Sequence, residues 1–127
     1  MDRARLEALA HMSDADLESA PFGVIVVDRD GIIEQYNAYE SRLAHLERKR
    51  AVGKSFFHHV APCTAVAAFE GRFLEFLEFD DVVSEGFAYF FPFAHEDVNV
   101  LVTFVKRAGA DTVLIVIEVV AGFFKLH

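Results

Sequence analysis

The chain is poor in sulfur and indole and has no long apolar runs. Its 127 residues include one cysteine, Cys63, two methionines and no tryptophan. A single cysteine excludes a disulfide within the chain and any zinc or iron–sulfur site built from several thiolates. The longest aliphatic runs, residues 24–27 and 113–117, fall far short of the roughly 18 residues a membrane-spanning helix needs. Residues 1–7, Met-Asp-Arg-Ala-Arg-Leu-Glu, lack the apolar stretch of a secretory signal. These absences set the expectation of a soluble, cytoplasmic protein. Positive charge is scarce too. Twelve Lys and Arg stand against 20 Asp and Glu, a net charge of −8. An acidic surface repels nucleic acid and anionic lipid, so neither is expected as a partner.

What is present is apolar and aromatic. Hydrophobic residues make up 54% of the chain, above the roughly 45–50% of average soluble domains, which is enough for a real core. The length suits one domain. Fourteen Phe against three Tyr imply an interior with much ring area and few polar handles.

The pattern along the chain alternates between helix and strand signals. Residues 2–18 are rich in Ala, Leu and Glu, and Leu6, Leu9 and Leu17 share one helical face. This predicts a short helix or two, closed by Pro21. Residues 22–28 and 32–36 are β-branched runs around the turn Asp28-Arg29-Asp30-Gly31, which predicts a hairpin. Asn37 can cap a helix over 38–47. Arg48-Lys49-Arg50 reads as a solvated basic face. Val66, Phe69, Phe73, Phe76 and Leu77 recur at helical spacing and predict a helix from 64 to about 79. Residues 87–94, 98–106 and 112–119 are three further strands joined by polar turns. The expected fold class is α+β, a five-stranded antiparallel sheet with helices on one face and an N-terminal helical cap. The expected organisation is a cap at 1–20, a domain at 21–120 and a tail at 121–127.

This order of elements is that of a PAS domain, and the local sequence is more specific. Gly53-Lys54-Ser55-Phe56-Phe57-His58-His59-Val60-Ala61-Pro62-Cys63-Thr64 closely resembles the Gly-Lys-x-Phe-Phe-x-x-Val-Ala-Pro-Cys-Thr stretch of the photoactive yellow protein family. Gln35-Tyr36-Asn37-Ala38-Tyr39-Glu40 resembles that family's Gln-Tyr-Asn-Ala-x-Glu, and the 22 residues between Glu40 and Cys63 keep the family spacing. Phe69-x-Gly71-x-Phe73 also fits. The resemblance covers roughly 21–120 and is strongest up to Phe73. Ala44 and Leu46 stand where the family usually has Thr and Arg.

The resemblance implies a blue-light photoreceptor that is not an enzyme. It implies a p-coumaric acid (4-hydroxycinnamic acid) chromophore, attached as a thioester to Cys63 and hydrogen-bonded through its phenolate to Tyr36 and Glu40. It also implies Phe56 and Phe90 as ring-packing residues, and an unidentified downstream signalling protein as partner.

The chemistry of such a site makes demands of its own. A phenolate in a Phe-rich interior needs strong hydrogen bonds. Tyr36 can donate one. Glu40 can donate a second only while protonated, which burial favours.

Each residue also has a plainer reading. Glu40 stands at the N3 position after Asn37, as in a capping box with an exposed carboxylate. Tyr36 reads as a core tyrosine, and Cys63 as a buried, inert thiol. The joint spacing of Tyr36, Glu40 and Cys63 favours the sensor. Its rival is a PAS sensory or interaction module without photoactivity, forming a homodimer, binding a protein partner, or binding another small molecule, apolar or haem. Haem would be held by His58, His59 or His95.

Overall fold

A computed structural model describes residues 2–120; the expected tail at 121–127 lies outside them. Five strands form one antiparallel sheet: β1 (Gly23–Val27), β2 (Ile33–Tyr36), β3 (Ser84–Pro92), β4 (Asp97–Lys106) and β5 (Val113–Val119). Their order is β2-β1-β5-β4-β3, so the first hairpin joins the closing meander through β1 and β5. The first hairpin follows from its turn chemistry. Asp28 Oδ1 accepts from the N–H groups of Asp30 (2.8 Å) and Ile32 (3.0 Å). Gly31 takes φ 79° with the Phe57 ring directly beneath it, where a Cβ would collide.

The sheet is buried on both faces. The helices α1 (Arg3–Ala10) and α2 (Asp14–Glu18) are the expected cap and cover the outer face. There Leu9 and Leu17 pack with Val24, Val26, Val105, Leu114 and Val116. Asp2 and Ser13 cap the two helices, each accepting from an N–H in the first turn. The inner face carries α3 (Ala38–Ala44), α4 (Arg48–Ala51), α5 (Arg72–Glu78) and the irregular chain between α4 and α5. Its core holds Phe56, Phe57, Phe69, Phe73, Phe76, Phe87, Phe91 and Phe104. Phe69 is the centre, within 6.2 Å, ring centre to ring centre, of Phe56, Phe57, Phe87, Tyr89, Phe91 and Phe104.

Two helical expectations need correction. The long helix from 64 to 79 is only α5. Before it lie a 3₁₀ turn (Pro62–Thr64), extended Val66 and a π-helical turn (Ala67–Gly71). Phe69, Phe73, Phe76 and Leu77 are buried as their spacing requires, but Val66 is exposed. The periodicity reported shared burial and was read as one continuous helix. The helix expected over 38–47 stops at Ala44, because His45 adopts the left-handed conformation (φ 54°), a stop that no Gly or Pro announces.

Candidate functional site

The site grows from the end of β2. Tyr36 is the last residue of that strand and points into the inner core, with 1% of its surface exposed. Asn37 caps α3, and its own side chain is wholly engaged. Its Oδ1 accepts from the N–H groups of Glu40 (3.0 Å) and Val24 (3.0 Å). Its Nδ2 donates to the carbonyls of Leu17 (2.9 Å) and Phe22 (2.9 Å). The Asn37 N–H donates to the Val24 carbonyl at 3.0 Å, so it is not available to a reciprocal bond from Glu40. This overturns the capping-box reading. Glu40 is 3% exposed, and its Oε1 is buried without a hydrogen-bond partner among the described residues.

Gly23 makes that placement sterically feasible. A Cβ there would overlap Glu40 Oε1. Sequence reading missed this residue. Its signal was a lone glycine inside a β-branched run, which marks a close approach.

Burial governs the protonation of the pair. Desolvation pushes the Glu40 carboxyl up to about 8, so it is protonated at neutral pH. Desolvation, and then the neighbouring Glu40 charge, hold the Tyr36 hydroxyl far above its ordinary range. Two neutral O–H groups therefore line one pocket. The cavity has a volume of about 160 Å³. An apolar cavity of roughly 150 Å³ admits one benzene ring, so this one is ring-sized. Tyr36, Glu40, Ala44, Leu46, Phe56 and Phe91 belong to its walls. An unpartnered carboxyl beside a ring-sized space fits a phenolic ligand whose oxygen would supply the missing acceptor.

The remaining predicted residues divide. Phe56 is buried and lines the pocket wall. Phe90 is not brought to the site. It is 47% exposed, because alternation along β3 turns it away from the inner face, and its neighbour Phe91 lines the pocket instead. Cys63 lies in the 3₁₀ turn after the pocket residue Ala61 and is exposed, so it is not the buried thiol of the plainer reading. Partial desolvation raises its thiol, partly offset by its own backbone N–H. Its carbonyl accepts from the Tyr89 hydroxyl at 2.6 Å, a partner no motif announced. His58 and His59 are exposed, and His58 is 2.9 Å from Glu70. His95 stacks on His45 and lies 3.0 Å from the Leu43 carbonyl. Among the described residues, no three His, Cys, Asp or Glu side chains converge on a metal site, and no helix is long and apolar enough to cross a membrane.

Comparison with known proteins identifies the fold and the family. Residues 17–110 match the family described as PAS fold. Photoactive yellow protein of Halochromatium salexigens is 36% identical over 111 residues, covering 87% of this chain and 88% of that protein. This chain belongs to the photoactive yellow protein family. The Rhodothalassium salexigens photoactive yellow protein is 34% identical over the same shares of the two chains. The photoactive yellow protein domain of the sensor histidine kinase Ppr from Rhodospirillum centenum superposes with a TM-score of 0.79 at 32% identity. It covers 89% of this chain and 98% of that one. The five-stranded PAS sheet with its N-terminal helices is thus the family's fold, and the Tyr36–Glu40 pocket lies on its inner face.

Proposed function

We propose that this protein is a blue-light photoreceptor with a p-coumaric acid chromophore thioester-linked to Cys63 and its phenolate oxygen held by Tyr36 and Glu40. The observation that carries the reading is the buried, protonated, unpartnered Glu40 carboxyl beside Tyr36 at the edge of a ring-sized cavity. The chromophore, when bound, supplies the visible absorption and a photoisomerisable double bond. Tyr36 and Glu40 each donate an O–H to the phenolate, the short charge-assisted bonds that such an anion needs in a dry interior. Phe56 and Phe91 keep water from the ring; Phe91 takes the packing role that the resemblance gave Phe90.

With the chromophore in place, light would move the Glu40 proton to the phenolate oxygen and leave an uncompensated carboxylate in an apolar core. Glu40 sits on α3, whose cap Asn37 is bonded to the carbonyls of Leu17 and Phe22. A shift of α3 therefore loads the contact with the N-terminal cap, 1–20, as the output surface of the domain at 21–120. A cytoplasmic downstream signalling protein is the partner. The raised thiol of Cys63 is a poor nucleophile at neutral pH. Attachment requires an activated acyl donor, because a thioester does not form spontaneously from a free carboxylate: the Cys63 sulfur bonds the acyl carbon as the donor's leaving group departs, and no catalytic role is assigned to the thiol.

Reconstitution of the purified protein with activated p-coumaric acid tests this. A visible band and a coumaroyl mass increase located on Cys63 are expected, and Cys63→Ser abolishes both. A folded protein that stays colourless overturns the reading. The exposure of Cys63, which lies outside the pocket wall, favours one second reading: a non-photoactive module, as monomer or homodimer, that binds a small aromatic molecule without a covalent bond. That reading predicts binding to the Cys63→Ser variant and no light-driven spectral change.

A further inference from the structure

Positive charge in this acidic chain is concentrated in one place. Four of its 12 Lys and Arg fall at positions 48–54, a stretch with no acidic residue. The nearest acids are used by two of the four. Arg48 pairs with Glu18 at 3.0 Å and Lys49 with Glu47 at 3.3 Å. Arg50 and Lys54 have no ion pair among the described residues. These two, with His59, line an open cleft of about 380 Å³ whose apolar floor is Leu46 and Val60. Leu46 and Val60 also wall the Tyr36–Glu40 pocket. The cationic cleft and the ring-sized cavity are therefore two sides of one thin partition.

The cleft is held in shape by backbone bonds. The Lys54 carbonyl accepts from the Ile33 N–H of β2 at 2.9 Å, and the Lys54 N–H donates to the Ala51 carbonyl at 3.1 Å. Leu46 is fixed by the Ser41 hydroxyl, which donates to the Leu46 carbonyl at 2.6 Å. Neither the cations nor the partition hang on free loops.

We propose that this cleft is an outer vestibule against the pocket wall and binds the carboxylate of a free aromatic acid, with Arg50 and Lys54 as the anion-binding residues. The proposal rests on reading the inner cavity as the site of the ligand's ring. A protein of net charge −8 repels an organic acid over most of its surface. Two unpaired cations beside the partition reverse that field locally and hold the carboxylate while the ring faces the Leu46–Val60 wall. The sequence alone assigned Arg48-Lys49-Arg50 to a solvated face. The structure separates the paired cations from the one that lines the cleft.

The test uses the Cys63→Ser chain, in which attachment cannot occur, with p-coumarate and its neutral methyl ester as probes. Binding is followed by amide chemical-shift titration. Shifts centred on Leu46, Lys54 and Val60 are expected for p-coumarate. Arg50→Glu/Lys54→Glu weakens p-coumarate about tenfold, since two exposed pairs are each turned to repulsion, and leaves the ester unchanged. The neutral variant Arg50→Gln/Lys54→Gln falls between, and added salt narrows the difference. Both positions substituted, Arg50 and Lys54, are solvent-facing, and thermal melting checks that each variant is folded. Equal affinity in wild-type and reversed proteins, equal loss for acid and ester, or shifts centred elsewhere overturns the vestibule. The photoreceptor reading is decided separately, by the visible band of the Cys63 protein. A normal band with charge-independent binding sinks only the vestibule. Charge-dependent binding with no band sinks only the photoreceptor.

Discussion

The two faces of the sheet are built by opposite rules. The outer face is aliphatic, and the buried amide that joins it to α3 is fully used. Asn37, fully buried, spends both lone pairs and both amide hydrogens on four protein partners. The inner face is aromatic, and only three residues further on it leaves Glu40 Oε1 without a partner. Both side chains belong to the first turn of α3, so local helix chemistry cannot explain the contrast. A satisfied buried amide stabilises a fold; an unsatisfied buried carboxyl destabilises it and is kept where a ligand completes it. The comparison thus separates the face that holds the domain together from the face that awaits a ligand.

The largest expected effect breaks the outer face. Asn37→Ala strands two N–H groups and two carbonyls at a fully buried position. With about 1–3 kcal/mol for each unsatisfied buried group and partial relief by water, a loss of roughly 4 kcal/mol is expected. Urea unfolding measures it; a loss below about 1 kcal/mol would show that the cap and α3 are not joined through this side chain.

The next effect comes from Glu40 and depends on pH. Burial raises its carboxyl from an ordinary 4.5 to about 8. Between those values the folded state keeps a proton that the unfolded state has released. The contribution is therefore fully present below pH 4.5 and is lost as pH rises to about 8. The total is on the order of a few kcal/mol, at about 1.4 kcal/mol per pKa unit. Glu40→Gln cannot titrate, so the difference in stability between the two proteins should slope across this window and flatten above it. Parallel stability curves would mean that the carboxyl is solvated.

Gly23 sharpens the same contrast from the strand side. A Cβ there overlaps Glu40 Oε1 and comes within 3.1 Å of the Ile117 Cβ. Gly23→Ala should cost about 1–3 kcal/mol as overpacking. In a Glu40→Ala background the cost should shrink by roughly 1 kcal/mol or more, the coupling expected of residues in contact. Additive losses would place the carboxyl elsewhere.

Legibility in the sequence followed the range of the interactions. The first hairpin was readable because Asp28 and Gly31 encode their own turn. The meander was readable because its three strands are separated by polar turns. Tyr36, Glu40 and Cys63 were marked by a resemblance at fixed offsets, not by any local physical signal. What could not be read depended on contacts distant in sequence. The stack of left-handed His45 on His95, the approach of Gly23 to Glu40 and the bond from Tyr89 to the Cys63 carbonyl join segments that no period connects. The overlong helix shows the opposite limit. A buried stripe can be assembled from a π-turn and a short helix as well as from one continuous helix.

The smallest effect is expected at Phe90, whose neighbour on β3, Phe91, carries a much larger one. Along one strand, neighbours face opposite sides, so a one-residue shift in assignment exchanges a pocket wall for a surface. Phe91 is 3% exposed and packs on Phe69, Tyr89 and Phe93; Phe90 is 47% exposed and pairs across the ladder with Asn99. Phe91→Ala should cost about 3 kcal/mol, as deletion of a buried ring does. Phe90→Ser should cost below about 0.5 kcal/mol, as at an ordinary surface position. The same pair tests the pocket: p-coumarate binding to the Cys63→Ser chain should weaken with Phe91→Ala and stay unchanged with Phe90→Ser. If Phe90→Ser lowers stability or binding as much as Phe91→Ala does, the register of β3 against β4 is shifted by one residue. The wall of the Tyr36–Glu40 pocket would then have to be rebuilt around the other ring.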